Sequence, residues 1–494
     1  MSLLAVIKLV KTFSSSEKRY FKLQSKKQVG NKEYLKLFDI INELETADIK
    51  FLKGKFIKLY PTSSFDNTLQ YLMKVLTDCL IQSKMEKDVF FQSMQTIMRS
   101  RILQERSLPE ESHKQLKKVR QVSVRYQKHF IEYLTYRYEL DYFSESSFRE
   151  ITYESLIEKQ MKAKDIIKNL NYVQDHYSLL EILKYRLIYS GKISSDDEKK
   201  RLNDLILSEM ALVAGKAKNS FISQKLHLLF QSFFFINIGD YQSALKTFHQ
   251  LNILFEQNRE LLDHPPLDYL ATLNGIIESM LMVGNFEDII SYINKLSKLD
   301  KPEYPQHFCF QVRKTIAVYQ LAVFIKNENF SKAIEYIESF DPGFLKSYNM
   351  VNEEKQWELY FYCSLAYFGN RNWKKAHSYI SKAMQENKAY PQLIICKAIR
   401  LLNIIIHFEK GDVEYLSYEI RSYKRFFRQH GLLLKSENLI LKTIQDLSDH
   451  KKKSKIIIGQ SKIMKIISTL KEDKYEKQLL KYLDFTDWIK KKTI

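Results

Sequence analysis

Four basic side chains near the start of the chain have the types and spacing to contact a polyanion. An α-helix turns by about 100° per residue, which places four of them within one arc of about 100°: Lys18, Arg19, Lys22 and Lys26. Cationic groups on one face neutralise phosphates without reading a base sequence. The pattern predicts a weak, non-specific nucleic-acid contact. The competing interpretation is a solvated face of a lysine-rich helix.

The residue types that most often catalyse reactions or bind metals do not occur at the spacings of known catalytic or metal-binding motifs. The 11 histidines include no HExxH motif, and the 12 glycines form neither a phosphate-binding loop nor a dinucleotide fingerprint. Four cysteines lie far apart without a CxxC pair, which predicts buried, reduced thiols: Cys79, Cys309, Cys363 and Cys396. We therefore expect a protein that is not an enzyme and has no catalytic residues, cofactor or metal.

The composition predicts an all-α protein. Only 12 glycines and 8 prolines occur in 494 residues, whereas 45% of the residues are hydrophobic and 28% are charged. Parallel α/β sheets and β-sandwiches need glycine and proline at their turns, so a chain this poor in both is mostly helical. No apolar run reaches the roughly 18 uncharged residues that cross a bilayer, and none near the start is long enough for a signal peptide. We expect a cytoplasmic protein without a transmembrane segment.

Five short polar breaks divide residues 225–430 at spacings of 40–45 residues. Glycine, asparagine or aspartate at a break tolerates the left-handed conformation that ends one helix, and it can cap the next. The breaks are Gly239-Asp240-Tyr241, Gly284-Asn285-Phe286, Glu328-Asn329-Phe330, Arg371-Asn372-Trp373 and Gly411-Asp412-Val413.

A second pattern follows each break. The residue three positions after the aromatic or apolar one is small or apolar, which lets two helices approach closely: Ala244, Ile289, Ala333, Ala376 and Leu416. The residue four positions later continues the same helical face: Phe248, Ile293, Ile337, Ile380 and Ile420. Together the two patterns predict a row of helical hairpins.

The clearest copy, residues 239–248, resembles the second half of the tetratricopeptide repeat, Gly-Asp-Tyr-x-x-Ala-x-x-x-Phe. The period of 40–45 residues is longer than the 34 of that family, and the family's Trp-x-x-Leu-Gly-x-x-Tyr first half is missing. The resemblance covers about two-fifths of the chain. It implies a tetratricopeptide-like helical-hairpin solenoid, with no particular subfamily.

In the tetratricopeptide family, the first helix of each hairpin lines a groove for a peptide. The resemblance implies that the groove here includes Phe233, Asn274, Phe361, Phe368 and Phe408. The matching positions also include Glu278 and Glu358. The whole set is too apolar to face water as an open patch, so either an apolar segment of a partner binds there or another part of this chain fills it.

Charge placement divides the chain into three predicted parts. Residues 1–130 hold 25 Lys or Arg and 13 Asp or Glu, residues 451–494 hold 13 and 5, and the part between holds 40 of each. We predict a basic helical N-terminal cap domain at 1–130, the solenoid at 131–450 with its clearest repeats at 225–430, and a basic helical C-terminal cap or tail at 451–494.

Each basic end allows two interpretations. Predicted helices at 33–44, 49–56 and 67–82 favour a cap over the first hairpin, or alternatively form a helix-turn-helix unit that reads DNA. Predicted helices at 461–470 and around 475–483 precede a basic end that contains Trp488. That end is either a solvated tail with Trp488 anchored on the last hairpin, or a contact for nucleic acid or an anionic membrane.

The favoured function is a non-enzymatic scaffold or adaptor that binds a peptide or a partner domain in the groove. The alternative is a DNA-binding regulator, in which a basic three-helix unit contacts DNA and the solenoid acts as a sensor. Some bacterial regulators combine those two parts, which is an analogy of architecture only. The salt dependence of binding distinguishes the two functions, because the affinity for phosphates falls steeply as the salt concentration rises.

Overall fold

A computed structural model describes residues 3–27, 32–43, 49–86, 88–190, 196–214, 220–341, 343–345, 353–386, 393–429, 434–448, 460–473, 476–482 and 484–493. About 84% of the protein is helical, and no strand occurs in these ranges. The prediction of an all-α protein is confirmed.

The described residues form a series of helices along the chain. The first eleven are α1 (Leu3–Thr12), α2 (Ser15–Lys27), α3 (Glu33–Glu43), α4 (Ile49–Leu59), α5 (Phe65–Met85), α6 (Val89–Glu105), α7 (Pro109–Arg125), α8 (His129–Glu145), α9 (Tyr153–Ser190), α10 (Asp196–Lys200) and α11 (Asn203–Ala214). The next ten are α12 (Phe221–Asn237), α13 (Tyr241–Gln257), α14 (Leu267–Val283), α15 (Ile289–Ser297), α16 (Gln306–Lys326), α17 (Phe330–Glu338), α18 (Glu353–Gly369), α19 (Trp373–Glu386), α20 (Ile394–Lys410) and α21 (Val413–Gln429). The last four are α22 (Lys435–Ser448), α23 (Gln460–Glu472), α24 (Lys477–Leu480) and α25 (Phe485–Thr493).

The chain forms two compact units. The first comprises Met1–Val173, Glu260–Pro265 and Lys301–Cys309, and the second comprises Gln174–Arg259, Pro266–Asp300 and Phe310–Ile494. The domain boundaries at 130 and 450 stay predictions. Residues 130 and 131 both lie within α8, and residues 449–459 lie outside the described residues.

All five predicted breaks are turns between two helices in the second unit. The first residue of each break has a positive φ: 76° at Gly239, 83° at Gly284, 52° at Glu328, 59° at Arg371 and 82° at Gly411. The sequence patterns assigned this left-handed conformation to glycine, asparagine or aspartate. At two turns a glutamate or an arginine adopts it instead, and the asparagine follows one position later.

The residue after the left-handed position caps the next helix at two of these turns. The Asp240 carboxylate accepts a hydrogen bond of 3.1 Å from the backbone N–H of Ser243. The side chain of Asn372 accepts one of 3.1 Å from Lys375 in the same way. These contacts satisfy backbone donors that have no partner inside the helix. At the second break the helix starts later, at Ile289.

The small and large residues that follow each break are buried. Ala244, Ala333 and Ala376 have no exposed surface, and all ten positions of the two patterns belong to the buried core. The ring of Phe248 lies so close to Gly275 that a Cβ there would overlap it, and Phe330 lies as close to Gly369. Glycine therefore lets an aromatic ring sit against the backbone of the next helix.

Hairpins also occur in the first unit, where they begin before residue 131, the predicted start of the solenoid. Helices α6, α7 and α8 pack as consecutive neighbours. The turns between them place Ser107 at φ 59° and Gln127 at φ 49°. Arg120 on α7 and Lys159 on α9 both pair with the buried Glu139, at 2.6 and 3.0 Å.

The N-terminal helices form a separate core cluster within the first unit. Ser14 and Glu17 form a capping box: the backbone N–H of Ser14 donates to the Glu17 carboxylate at 2.7 Å, and that of Glu17 donates to the Ser14 hydroxyl at 3.2 Å. The three helices predicted at 33–44, 49–56 and 67–82 are α3, α4 and α5.

All four cysteines are buried and free, as predicted. Among the described residues, one helix, α16, is long and apolar enough to cross a membrane by length and composition, and 56% of its most apolar stretch is buried inside the protein. It also carries the fully buried Lys314, whose ammonium lies 5.1 Å from the ring centroid of Phe310. Its packing is that of a core helix.

Candidate interaction site

The last residues of the chain pack against the first helices of the predicted hairpins, all within the second unit. We call residues 476–482 and 484–492 the C-terminal segment. Leu479, Tyr482 and Ile489 of this segment are buried in the same core cluster as α18 and α20. The segment forms two short helices, α24 and α25. Its polar side chains reach residues far earlier in the sequence.

The central contact of the C-terminal segment is a buried charge cluster. The ammonium of Lys481 lies 2.8 Å from the carboxylate of Glu278 on α14 and 3.5 Å from that of Glu358 on α18. The hydroxyl of Tyr482 donates a hydrogen bond of 2.7 Å to Glu358. Lys355 pairs with the same carboxylate at 2.6 Å. Charge-assisted hydrogen bonds of this kind are among the strongest in proteins.

The pKa values in this cluster follow from its burial and its pairing. Burial raises the pKa of Glu358, but the nearby ammonium groups of Lys355 and Lys481 outweigh that effect and lower it to about 2. Burial lowers the pKa of Lys481, and the carboxylates of Glu278 and Glu358 raise it well above its usual value. Each charge thus holds the other ionised, although both lie inside the protein.

A second contact anchors Trp488 on the last predicted hairpin. The indole N–H of Trp488 donates a hydrogen bond of 2.9 Å to Glu409, and its ring lies edge-on to Phe408 with centroids 5.7 Å apart. Lys492 pairs with Glu409 at 2.8 Å. Lys491 lies 3.3 Å from Glu328, where both side chains are 71% exposed, so this pair contributes little to stability.

A third contact lies at the start of the C-terminal segment. The carboxylate of Glu476 accepts hydrogen bonds from the backbone N–H groups of Lys435 and Ser436 at 2.9 and 3.0 Å, and from the Ser436 hydroxyl at 2.6 Å. It therefore caps the N-terminus of α22. The side chain of Gln478 donates to the backbone carbonyl of Asn237, at the end of α12, at 3.4 Å.

Each of the five predicted hairpins supplies a contact to the C-terminal segment from its first helix or from the turn that follows. Four of these contacts are carboxylates, which we call the acidic row: Glu278, Glu328, Glu358 and Glu409. The acidic row faces lysines and aromatic residues of the C-terminal segment, and buried apolar residues pack between these contacts. The site thus combines an apolar surface with negative charge.

No family model, curated protein or solved structure matches this chain. The chemistry of the site is that of its own residues. Among the described residues, no group of three His, Cys, Asp or Glu side chains is placed to hold a metal ion. The acidic row instead meets ammonium, phenol and indole groups, which are protein side-chain chemistry.

Some of the five predicted groove residues contact the C-terminal segment, and the others have different partners. Phe361 is fully buried, with its ring edge-on to Tyr482 at 5.9 Å, and Phe408 contacts Trp488 as described above. Asn274 accepts a hydrogen bond of 2.6 Å from Tyr319.

The two other groove residues contact different partners. The ammonium of Lys184 lies 5.9 Å from the ring centroid of Phe233, and Phe368 packs against Trp373 with centroids 5.0 Å apart. Of the five predicted residues, Phe361 and Phe408 contact the C-terminal segment through their rings. Both face aromatic rings of that segment.

The predicted polyanion face lies on α2 in the first unit. Arg19 is exposed, whereas Lys18 and Lys22 are half-buried. Lys22 pairs with Asp39 at 2.8 Å, and burial, followed by the charge of Lys22, lowers the pKa of Lys18. The side chain of Lys26 lies outside the described residues. Arg19 is thus the most accessible of the three described cations, and polyanion contact stays a prediction.

Proposed function

We propose that this protein is a non-enzymatic interaction scaffold, a tetratricopeptide-like helical solenoid whose first helices form a groove for a helical segment of a partner protein. The observation that carries the proposal is the position of the C-terminal segment. It contacts all five hairpins through their first helices or the turns after them, and the first helices line the peptide groove in the family that the sequence resembles. A surface that holds one such segment has the chemistry to hold another.

The packing of the hairpins supports the solenoid. Consecutive helices from α12 to α15 and from α17 to α21 contact their neighbours in chain order. The five turns share a left-handed first residue at spacings of 40–45 residues. In repeat proteins each hairpin buries its apolar face only against the next, so such a row offers an extended surface to partners.

Capture of partners by the full-length chain from its native cell tests this function. We expect partner proteins that remain bound after nuclease treatment and that are reduced by Glu328→Lys, which reverses an exposed charge of the acidic row. Glu335→Lys is the matched control, because Glu335 is also exposed but lies on α17 outside the acidic row. Loss of all captured material on nuclease treatment would contradict the proposal.

A DNA-binding regulator is the second candidate function. It is favoured by one observation on α5, whose apolar face is buried through Leu69 and Leu72. Asn67, Gln70 and Lys74 on the same helix are exposed. A helix anchored in this way leaves its polar face open to a DNA groove. Tight binding to one defined DNA sequence, with affinity that falls steeply as salt rises, would favour this function.

A further inference from the structure

We propose that the C-terminal segment competes with a helical segment of a partner protein for binding to the acidic row. The partner segment has the same chemistry as the C-terminal segment: a lysine next to an aromatic residue, followed by a tryptophan and a lysine. This inference rests on the proposed function and names the partner's chemistry. In this chain the pattern is Lys481-Tyr482, five residues, Trp488, three residues and Lys492.

The contact between the C-terminal segment and the acidic row contributes more to selectivity than to stability. A segment that only covered an apolar surface would need apolar side chains. The C-terminal segment also places Lys481 between two buried carboxylates. Taking paired charges out of water costs about as much as their attraction returns, whereas leaving one of them unpaired is strongly destabilising. The site therefore discriminates in favour of a segment that carries a cation at this position.

The charged side chains at the two ends of the C-terminal segment are buried to different extents. This difference predicts which end a partner segment displaces first. At the Lys481 end, the charges are almost completely buried. At the Trp488 end, Lys492 is 36% exposed and Lys491 is 71% exposed. The helices α24 and α25 have only 4 and 9 residues, and helices this short are unstable without packing. Exchange therefore starts at Trp488 and ends at Lys481.

A peptide-binding assay with the full-length chain tests the exchange. The probe is a fluorescently labelled synthetic peptide of residues 476–493, and its anisotropy reports binding. The chain with Trp488→Ala and Lys492→Ala should bind the probe at least tenfold more tightly than the wild-type chain, because its own segment competes less. A probe with Lys481→Glu should bind neither chain. The single variant Lys492→Ala should also bind the probe more tightly than the wild-type chain, but by a smaller factor. It serves as the test if the double variant does not fold.

Two results would overturn the exchange. One is equal affinity of both chains for the probe, or no binding by either. The other is a dimer of the wild-type or variant chain in light scattering, which would assign the site to a second copy. If the probe fails to bind but nuclease-resistant partners still depend on Glu328, the scaffold function stands and only the partner's chemistry is wrong. If those partners are also missing, the proposed function fails as well.

Discussion

The hydroxyl of Tyr482 donates a 2.7 Å hydrogen bond to the carboxylate of Glu358, a residue 124 positions earlier in the chain. This contact joins the C-terminal segment to the first helix of the fourth predicted hairpin. Lys481, the neighbour of Tyr482, ties the same carboxylate to Glu278 on the second. The C-terminal segment thereby links separate hairpins of the second unit.

Replacing Glu358 with glutamine should give a pH-dependent loss of stability. The lowered pKa of Glu358 means that its ionised form stabilises the fold fully above its usual value of 4.5, and that this contribution is lost as the pH falls through about 2. At pH 7 we expect Glu358→Gln to lower the free energy of unfolding by about 1–3 kcal/mol. The difference from the wild type should shrink between pH 4.5 and 2.

Denaturant unfolding at a series of pH values measures this difference. Glu335→Gln, at an exposed glutamate on α17, is the matched control and should change stability by less than about 0.5 kcal/mol at every pH. If the free energy of unfolding of Glu358→Gln stays below that of the wild type by a constant amount down to pH 2, the ionised form of Glu358 does not stabilise the fold.

The buried alanines after three of the turns should not tolerate a larger side chain. Ala244, Ala333 and Ala376 have no exposed surface, so leucine at any of them should overpack the contact between helices and cost about 1–3 kcal/mol. The control is Ala271→Leu, because Ala271 is exposed on α14. Thermal unfolding of the four variants measures the effect. Unchanged stability in all three buried variants would show that the repeat register is wrong.

Two glycines in helices should respond to alanine in opposite directions. A Cβ at Gly275 would overlap the ring of the buried Phe248, whereas nothing lies within 4 Å of a Cβ at Gly54. We expect Gly275→Ala to cost about 1–3 kcal/mol and Gly54→Ala to stabilise by roughly 0.4–1 kcal/mol. Chemical denaturation distinguishes the two outcomes, and an equal response would contradict the close packing of Phe248.

The basic face of α2 should give weak DNA binding that does not depend on sequence, with a dissociation constant of roughly 10⁻⁴–10⁻⁶ M at physiological salt. Charge reversal of Lys18, Arg19, Lys22 and Lys26 together should abolish it. Arg19→Glu alone should weaken it without disturbing the ion pair of Lys22 with Asp39. Charge reversal of Glu335, in the neutral middle of the chain, is the control. No binding even at low salt would leave this face as solvated surface.

The helical hairpins of residues 225–430 could be predicted because their signals are local. A turn residue, a small residue and a large apolar residue lie within about ten positions of each other, and turn chemistry and helical period act over that distance. The turns at Ser107 and Gln127 escaped prediction because neither contains glycine, asparagine or aspartate. Their left-handed residues are of types that rarely adopt this conformation.

The candidate site could be predicted only in part. The resemblance implied a groove on the first helices, which stays a prediction, and two of its residues, Phe361 and Phe408, contact the C-terminal segment. What covers that surface was left as two alternatives. The pairing of Lys481 with Glu278 joins residues from distant parts of the chain, and a contact between distant residues has no spacing in the sequence to reveal it.

Hydrogen–deuterium exchange of the full-length chain, with and without an excess of the unlabelled peptide 476–493, tests the exchange of segments most directly. The peptide carries a mass label so that its fragments are distinct from those of the chain. We predict that backbone amides of 484–493 in the chain lose protection when the peptide is added, while those of α18 and α20 keep theirs. Unchanged protection of 484–493 at saturating peptide would contradict the account, because the C-terminal segment would then be a fixed part of the fold.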